Sequence, residues 1–289
     1  MLLAVSLLAE AGELAENHIE YDSRLLDIFR SLFEAARQAD DKNTPYNPFF
    51  YLKSEGFWHL NPAPGVDGFP NQISGPGELR QRVSHVSLDP ELFTLIRDPA
   101  FRHELQAVLI QTYCNHNSER MWEIMRDEGQ IEIRKQQLLK EEAGTYETGS
   151  ERLRSTAFRR MIREIYDVRC AACGVRFFFD DVDLIDAAHL VPFSESQDDR
   201  PQNGIALCKN HHWLMDHGIL VPGPGRGSDF SRPIWHVRKG LDNRFREHQP
   251  VLELKHRSVI LPDERRYAPG REGLEWRMET LRQAEKDAA

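Results

Sequence analysis

The chain has 289 residues, long for one domain and comfortable for two. Its apolar fraction of 40% is enough for real cores and too low for a membrane protein, and its net charge of −9 is not that of a bulk nucleic-acid coat. The charge is uneven: residues 1–150 hold 24 acids and 14 bases, whereas residues 151–289 hold 22 acids and 23 bases, an asymmetry that suits a DNA-facing patch on an otherwise acidic protein.

In chain order, residues 2–17 read as a buried helix. The apolar start lacks the basic flank of a secretory signal. A second helix is predicted over 23–38, capped by Asp22 or Ser23, with Leu25, Phe29, Leu32, Phe33 and Ala36 on one face. Two short aromatic runs, 49–52 and 57–60, flank Lys53-Ser-Glu-Gly56 and predict a hairpin. Residues 61–78 should be a loop. Asp89-Pro90 and Asp98-Pro99 each start a helix, the second reaching about Tyr113. The charged stretch 118–141 reads as a helical connector, and 143–150 as the domain boundary. Beyond it, Ser155 should cap a helix that turns Phe158, Met161, Ile162 and Ile165 inward. A strand is expected from Leu184 to Val191, ended by Pro192, with a second short strand and a helix after it. Strands at 233–239 and 251–261 and a helix over 271–285, pinned by Trp276 and Leu281, complete the pattern.

Of four cysteines, three fall in one motif. Cys170 and Cys173 form a pair with two residues between them, and Cys208 and His211 repeat that spacing. Four sulfur and nitrogen ligands in two such pairs describe a closed, tetrahedral, structural zinc site. This is metal usage and not a disulfide framework, so a reducing cytoplasm is expected.

A second set of polar residues is threaded through the first. His189 lies on the predicted strand, Asn203 follows 14 residues later and His212 nine after that. With Ala187-Ala-His-Leu-Val-Pro192 and Asn203-Gly-Ile-Ala-Leu-Cys208, this order resembles the HNH endonucleases over roughly 155–220. The resemblance implies a ββα-metal fold around a divalent ion such as Mg²⁺ or Mn²⁺, with His189 as general base, Asn203 as the loop residue that orients it and His212 as a metal ligand. The chemistry suits the residue types, because an imidazole takes a proton from water near neutral pH and a divalent ion stabilises the charge on phosphate. Asp216, four residues after His212, shares its helix face. Where many HNH enzymes carry a ligand just before the base, this chain has Ala188. Asp186 can supply a carboxylate but should point to the strand face opposite His189, so Asp216 is the preferred ligand.

The first half, with Pro48-Phe-Phe-Tyr-Leu and Phe57-Trp-His-Leu60, is similar over roughly 1–115 to the domain that precedes the HNH module in McrA-like predicted restriction endonucleases. That domain is in turn similar to the sulfur-binding domain of enzymes that cut phosphorothioate-modified DNA. Such relatives carry a His-Lys-Pro-Leu-type segment before the first helix, and this chain begins inside that helix. The expected whole is α+β: a DNA-recognition domain (1–115), mainly helical with a β-hairpin, a helical connector (116–150), and a zinc-stabilised HNH nuclease domain with a C-terminal extension (151–289). Its expected substrate is double-stranded DNA, modified or foreign. Arg80 and Arg82 in the first half, and Arg159, Arg160 and Arg163 in the second, are the expected phosphate contacts. One site cuts one strand, so a double-strand break calls for a homodimer or successive nicks. The rival readings are a generic or mobile-element nuclease and a non-catalytic zinc-module DNA-binding protein.

Overall fold

The computed structural model describes residues 1–140, 151–176, 178–179 and 182–287. The chain divides into two compact units, Met1–Ile133 with Phe179–Asp181, and Arg134–Phe178 with Val182–Ala289. The division falls inside a long helix, and the linker expected at 143–150 lies outside the described residues.

In the first unit, helix α1 (Leu2–Glu10) stops where Gly12 turns left-handed at φ +76°, earlier than the predicted residue 17. Helix α2 (Ser23–Ala36) is capped by Asp22, whose side chain accepts the Leu25 N–H, and it buries Leu25, Leu26, Ile28, Phe29 and Leu32. The aromatic segment departs from the hairpin reading. Its first run is helix α3 (Tyr46–Tyr51), whose first turn accommodates Pro48, followed by a 3₁₀ turn at Leu52–Glu55. The second run is strand β1 (Trp58–Pro62), and it pairs antiparallel not with the first run but with β2 (Val83–Leu88), which follows helix α4 (Pro76–Arg82). The two runs still meet, since Trp58 Nε1 donates to the Phe49 carbonyl at 2.8 Å and the rings pack edge to face.

Helices α5 (Pro90–Arg97) and α6 (Pro99–Tyr113) begin as predicted, with Asp89 and Asp98 accepting backbone N–H groups and proline in the first turn. Helix α7 (Ser118–Lys140) is more than a connector. Despite its charge it buries Met121, Ile124, Met125, Ile131 and Leu138. Apolar residues at helical spacing make one face that the many charges disguise in the average composition.

The second unit opens with helix α8 (Glu151–Ile165), which turns Phe158, Met161 and Ile162 inward. Ser155 is inside this helix, its hydroxyl bonded to the Arg152 carbonyl, and does not cap it. Two-residue strands β3 (Phe178–Phe179) and β4 (Val182–Asp183) pair with each other. Strand β5 (Ile185–His189) pairs antiparallel with β6 (Gly204–Cys208), setting His189 opposite Gly204 and Ile185 opposite Cys208. Between them lie the short helix α9 (Phe193–Ser196) and a loop, and helix α10 (Lys209–Asp216) follows directly. This is a ββα arrangement, with α8 packed on both strands.

Strands β7 (Leu220–Gly223) and β8 (Ile234–Val237) form a further hairpin. The strand expected at 251–261 is replaced by the one-turn helix α11 (Gln249–Leu252) and a single bridge from Ser258 to Ile234, because His256 adopts φ +65° and breaks the extended run. Helix α12 (Arg271–Asp287) packs on β7, with Leu274 and Leu281 buried.

Candidate active site and metal centre

Three thiols and one imidazole converge. One ligand atom from each of Cys170, Cys173, Cys208 and His211 lies within 4.8 Å of every other, the one such group of His, Cys, Asp or Glu among the described residues. The first pair sits on a turn in which the Gly174 N–H donates to the Cys170 carbonyl, and Gly174 takes φ +71°, a conformation only glycine adopts without strain. The second pair brackets the start of α10. Cys208 Sγ lies 3.0 Å from His211 Nδ1, and Cys170 Sγ 3.5 Å from the same atom. The Cys208 thiol donates to Cys170 and holds it far below the usual thiol range, to about 3, while Cys208 itself is pushed up by that bond and Cys173 by burial. Ligand atoms crowded this closely suit a soft tetrahedral ion, which binds thiolates and displaces their protons. The donor set fits structural zinc.

A second group surrounds His212, midway along α10. Its Nδ1 is 3.3 Å from Asp186 Oδ2, and its Nε2 is 3.3 Å from Asp216 Oδ2. Asp186 therefore does reach α10, although His189, three residues on, faces α8. Both oxygens of Asp186 are engaged, the other by Lys209 Nζ at 2.9 Å. Burial pushes this carboxyl up, but the bonds from Lys209 and His212 outweigh it and hold it below the usual carboxylate range. Asp216 is more open, half exposed on its helix. The Nε2 of His212 and the Asp216 carboxylate suit a hard divalent ion, whereas Asp186, expected as a further ligand, lies on the other ring nitrogen and does not face the same place. A metal-bound histidine is commonly oriented by a carboxylate on its other nitrogen, the place Asp186 fills.

His189 lies at the end of β5. Its ring stacks on Phe158 of α8, centroids 3.9 Å apart and 6° from parallel. Its Nε2 is 2.8 Å from Oδ1 of Asp199, whose side chain is fully buried. Arg154 Nη1 donates to both Asp199 oxygens, at 2.8 and 2.6 Å, and its guanidinium covers Phe193. Asn203 ties the loop closed. Its amide accepts the Val191 N–H and donates to the carbonyls of Val191 and Asp198, at 2.8, 3.0 and 2.9 Å. Arg277 of α12, almost wholly buried, donates to the His189 carbonyl at 2.6 Å and lies 3.6 Å from Asp216, joining β5 to the His212 group. Burial lowers this guanidinium to about 10.

Residues 170–221 match the HNH endonuclease family model. The match covers both thiol pairs, β5, β6 and α10. No curated protein matches the chain. Among solved structures a modification-dependent TagI restriction endonuclease is similar at 16% identity and a TM-score of 0.33, over 46% of this chain and 40% of that one. The chain thus spans less than half the length of that enzyme.

Around the HNH domain the arginines divide. Arg159 is exposed, but Arg160 and Arg163 are each 8% exposed. On an amphipathic α8 they fall on the packed side, so a phosphate approaching from solvent meets Arg159 and not these two. In the first unit Arg82 is partly exposed and bonded to Glu78, and Arg80 lies over the Tyr21 ring. Sequence reasoning missed three contributors. Asp199 sits in an Asp-Asp-Arg run, Arg154 lies 45 residues from Asp199, and Arg277 lies 88 residues from His189. No local pattern signals any of them.

Proposed function

We propose that the chain is a metal-dependent DNA endonuclease that acts on modified DNA, with residues 1–115 as the recognition domain, 116–150 as the connector and 151–289 as the nuclease. The observation that carries the nuclease assignment is His189, oriented by a buried carboxylate at the end of the ββα hairpin, on the same motif as the imidazole and carboxylates of His212, Asp216 and Asp186. His189 takes the proton from the attacking water. Asn203 holds the loop that returns from β5 to β6. His212 and Asp216, with Asp186 orienting the ring, would hold a divalent ion, Mg²⁺ or Mn²⁺, which when bound would supply charge stabilisation at the phosphate and the departing oxygen. Cys170, Cys173, Cys208 and His211 would hold zinc, which would clamp the turn to the helix start. Arg80, Arg82 and Arg159 contact phosphates. The modified substrate is supported by the likeness of the first half to the domains that precede McrA-like HNH modules. A homodimer or successive nicks would complete a double-strand break. No described helix is long and apolar enough to cross a membrane.

The test is nicking of supercoiled plasmid with Mg²⁺ or Mn²⁺, using matched plasmids with and without a backbone or base modification. His189→Ala is expected to abolish nicking and leave DNA affinity nearly intact, since a base contributes to the transition state and little to ground-state binding. A His189→Ala chain that still cuts moves the base elsewhere. Equal cutting of both plasmids reduces the protein to a generic HNH nuclease.

A further inference from the structure

We propose that Asp199 and Arg154 are positioning residues for His189, fixing its imidazole as the Nε2–H tautomer so that Nδ1 is the atom that takes a proton from water. The inference rests on the nuclease reading for the identity of that water, but the geometry stands apart from it.

A carboxylate only accepts hydrogen bonds, so an imidazole nitrogen 2.8 Å from one must carry the hydrogen. That places the lone pair on Nδ1, which has no hydrogen-bond partner among the described residues, on a side chain 21% exposed. The buried carboxylate is sustained by charge. Asp199 has no access to solvent, and an isolated ion there would carry a large desolvation penalty. Arg154 answers it with bonds to both oxygens. Arg154 is itself fixed, its guanidinium 3.4 Å from the Phe193 ring centroid.

The orientation is locked a second way. With Phe158 stacked nearly parallel at 3.9 Å, the ring keeps its plane. Turning it over within that plane would set a carbon against Asp199 and forfeit the bond. Arg277 fixes the backbone of the same residue through its carbonyl. Side chain, ring face and main chain of His189 are thus held by α8, the 198–200 loop and α12.

In the reaction, the water oxygen bonds to phosphorus and its proton passes to Nδ1. The bond from phosphorus to the 3′ oxygen breaks, and that oxygen keeps the electron pair and takes a proton from solvent. His189 becomes an imidazolium whose Nε2–H stays on Asp199, and it returns its extra proton to solvent. Asp199 does not touch the reacting atoms. It decides which nitrogen faces them. Because Arg154 and Phe158 precede residue 170 and Arg277 follows residue 221, this apparatus lies partly outside the matched HNH segment.

The test reads the tautomer directly, by ¹⁵N NMR of His189 in the full chain at a pH where the ring is neutral, assigned by comparison with His189→Gln. The expected spectrum shows Nε2 protonated and Nδ1 bare. Asp199→Asn is expected to mix the tautomers and lower kcat about 100-fold or more, with KM unchanged. Arg154→Lys, which keeps the charge, should retain the Nε2–H signal. If Asp199→Asn does not fold, the wild-type spectrum alone decides. A wild-type Nδ1–H tautomer, or a folded Asp199→Asn chain with undiminished kcat, overturns the proposal. A wild-type chain that cuts no DNA yet shows the Nε2–H form removes the nuclease reading and upholds the positioning pair.

Discussion

Gly273→Ala should weaken this protein, although the same exchange inside a helix ordinarily strengthens one by about 1 kcal/mol. Gly273 lies in the first turn of α12, against Leu190, the residue that follows His189. A methyl group there would lie 2.7 Å from Leu190 Cβ and 2.9 Å from its Cδ1. Carbon atoms pack at about 3.5–4.0 Å, so α12 must retreat by roughly 1 Å. Leu190 Cβ cannot swing away, being fixed to the backbone. One turn on, Arg277 would carry its 2.6 Å bond to the His189 carbonyl beyond useful range. Overpacking costs about 1–3 kcal/mol and a weakened charged hydrogen bond about 1–2. Set against the helical gain, the net loss is about 1–4 kcal/mol. Urea unfolding measures it, and plasmid nicking by the same sample should fall more than stability alone explains, since fully folded enzyme would still hold His189 displaced. Adding Leu190→Ala removes the Cδ1 contact but keeps the Cβ contact, so it should not restore activity. A Gly273→Ala chain that is about 1 kcal/mol more stable and fully active would refute the reasoning.

Cys208→Ser or Cys170→Ser should lose stoichiometric zinc and lower folding stability, as metal analysis of protein never exposed to chelator will show; wild-type protein without zinc would remove the assignment. Asp216→Ala should raise the Mg²⁺ or Mn²⁺ concentration needed for half-maximal nicking, because it removes an open ligand. Asp186→Ala should lower activity at every metal concentration instead, because it frees the His212 ring; the reverse pattern would exchange their roles.

The thiol cluster was legible because both of its pairs are local. Two residues between ligands bring Cys170 to Cys173, and Cys208 to His211, whatever the rest of the chain does. The ends of α2, α5 and α6 were legible for a similar reason, since Asp22, Asp89 and Asp98 cap by bonding two or three residues ahead. The aromatic segment was not. Phe49-Phe50 satisfies a strand or a helix equally, and what decides it is that the second run, Trp58–Pro62, pairs instead with Val83–Leu88. The surroundings of His189 were beyond local reading too. Arg154 and Asp199 are 45 residues apart, and Arg160 and Arg163 look like a basic patch until the packing of α8 reveals which side they occupy.

Helix α10 ties two chemically unlike centres to one short rod. His211 belongs to the thiol cluster and His212 to the carboxylate group, and about 100° of helical rotation separates them. The rod is capped by Cys208, so an ion that distorts the thiol cluster also shifts the imidazole beside Asp186 and Asp216. On the proposed reading, a thiophilic poison such as cadmium or mercury, which prefers thiolate to carboxylate, silences a catalytic centre that contains no sulfur.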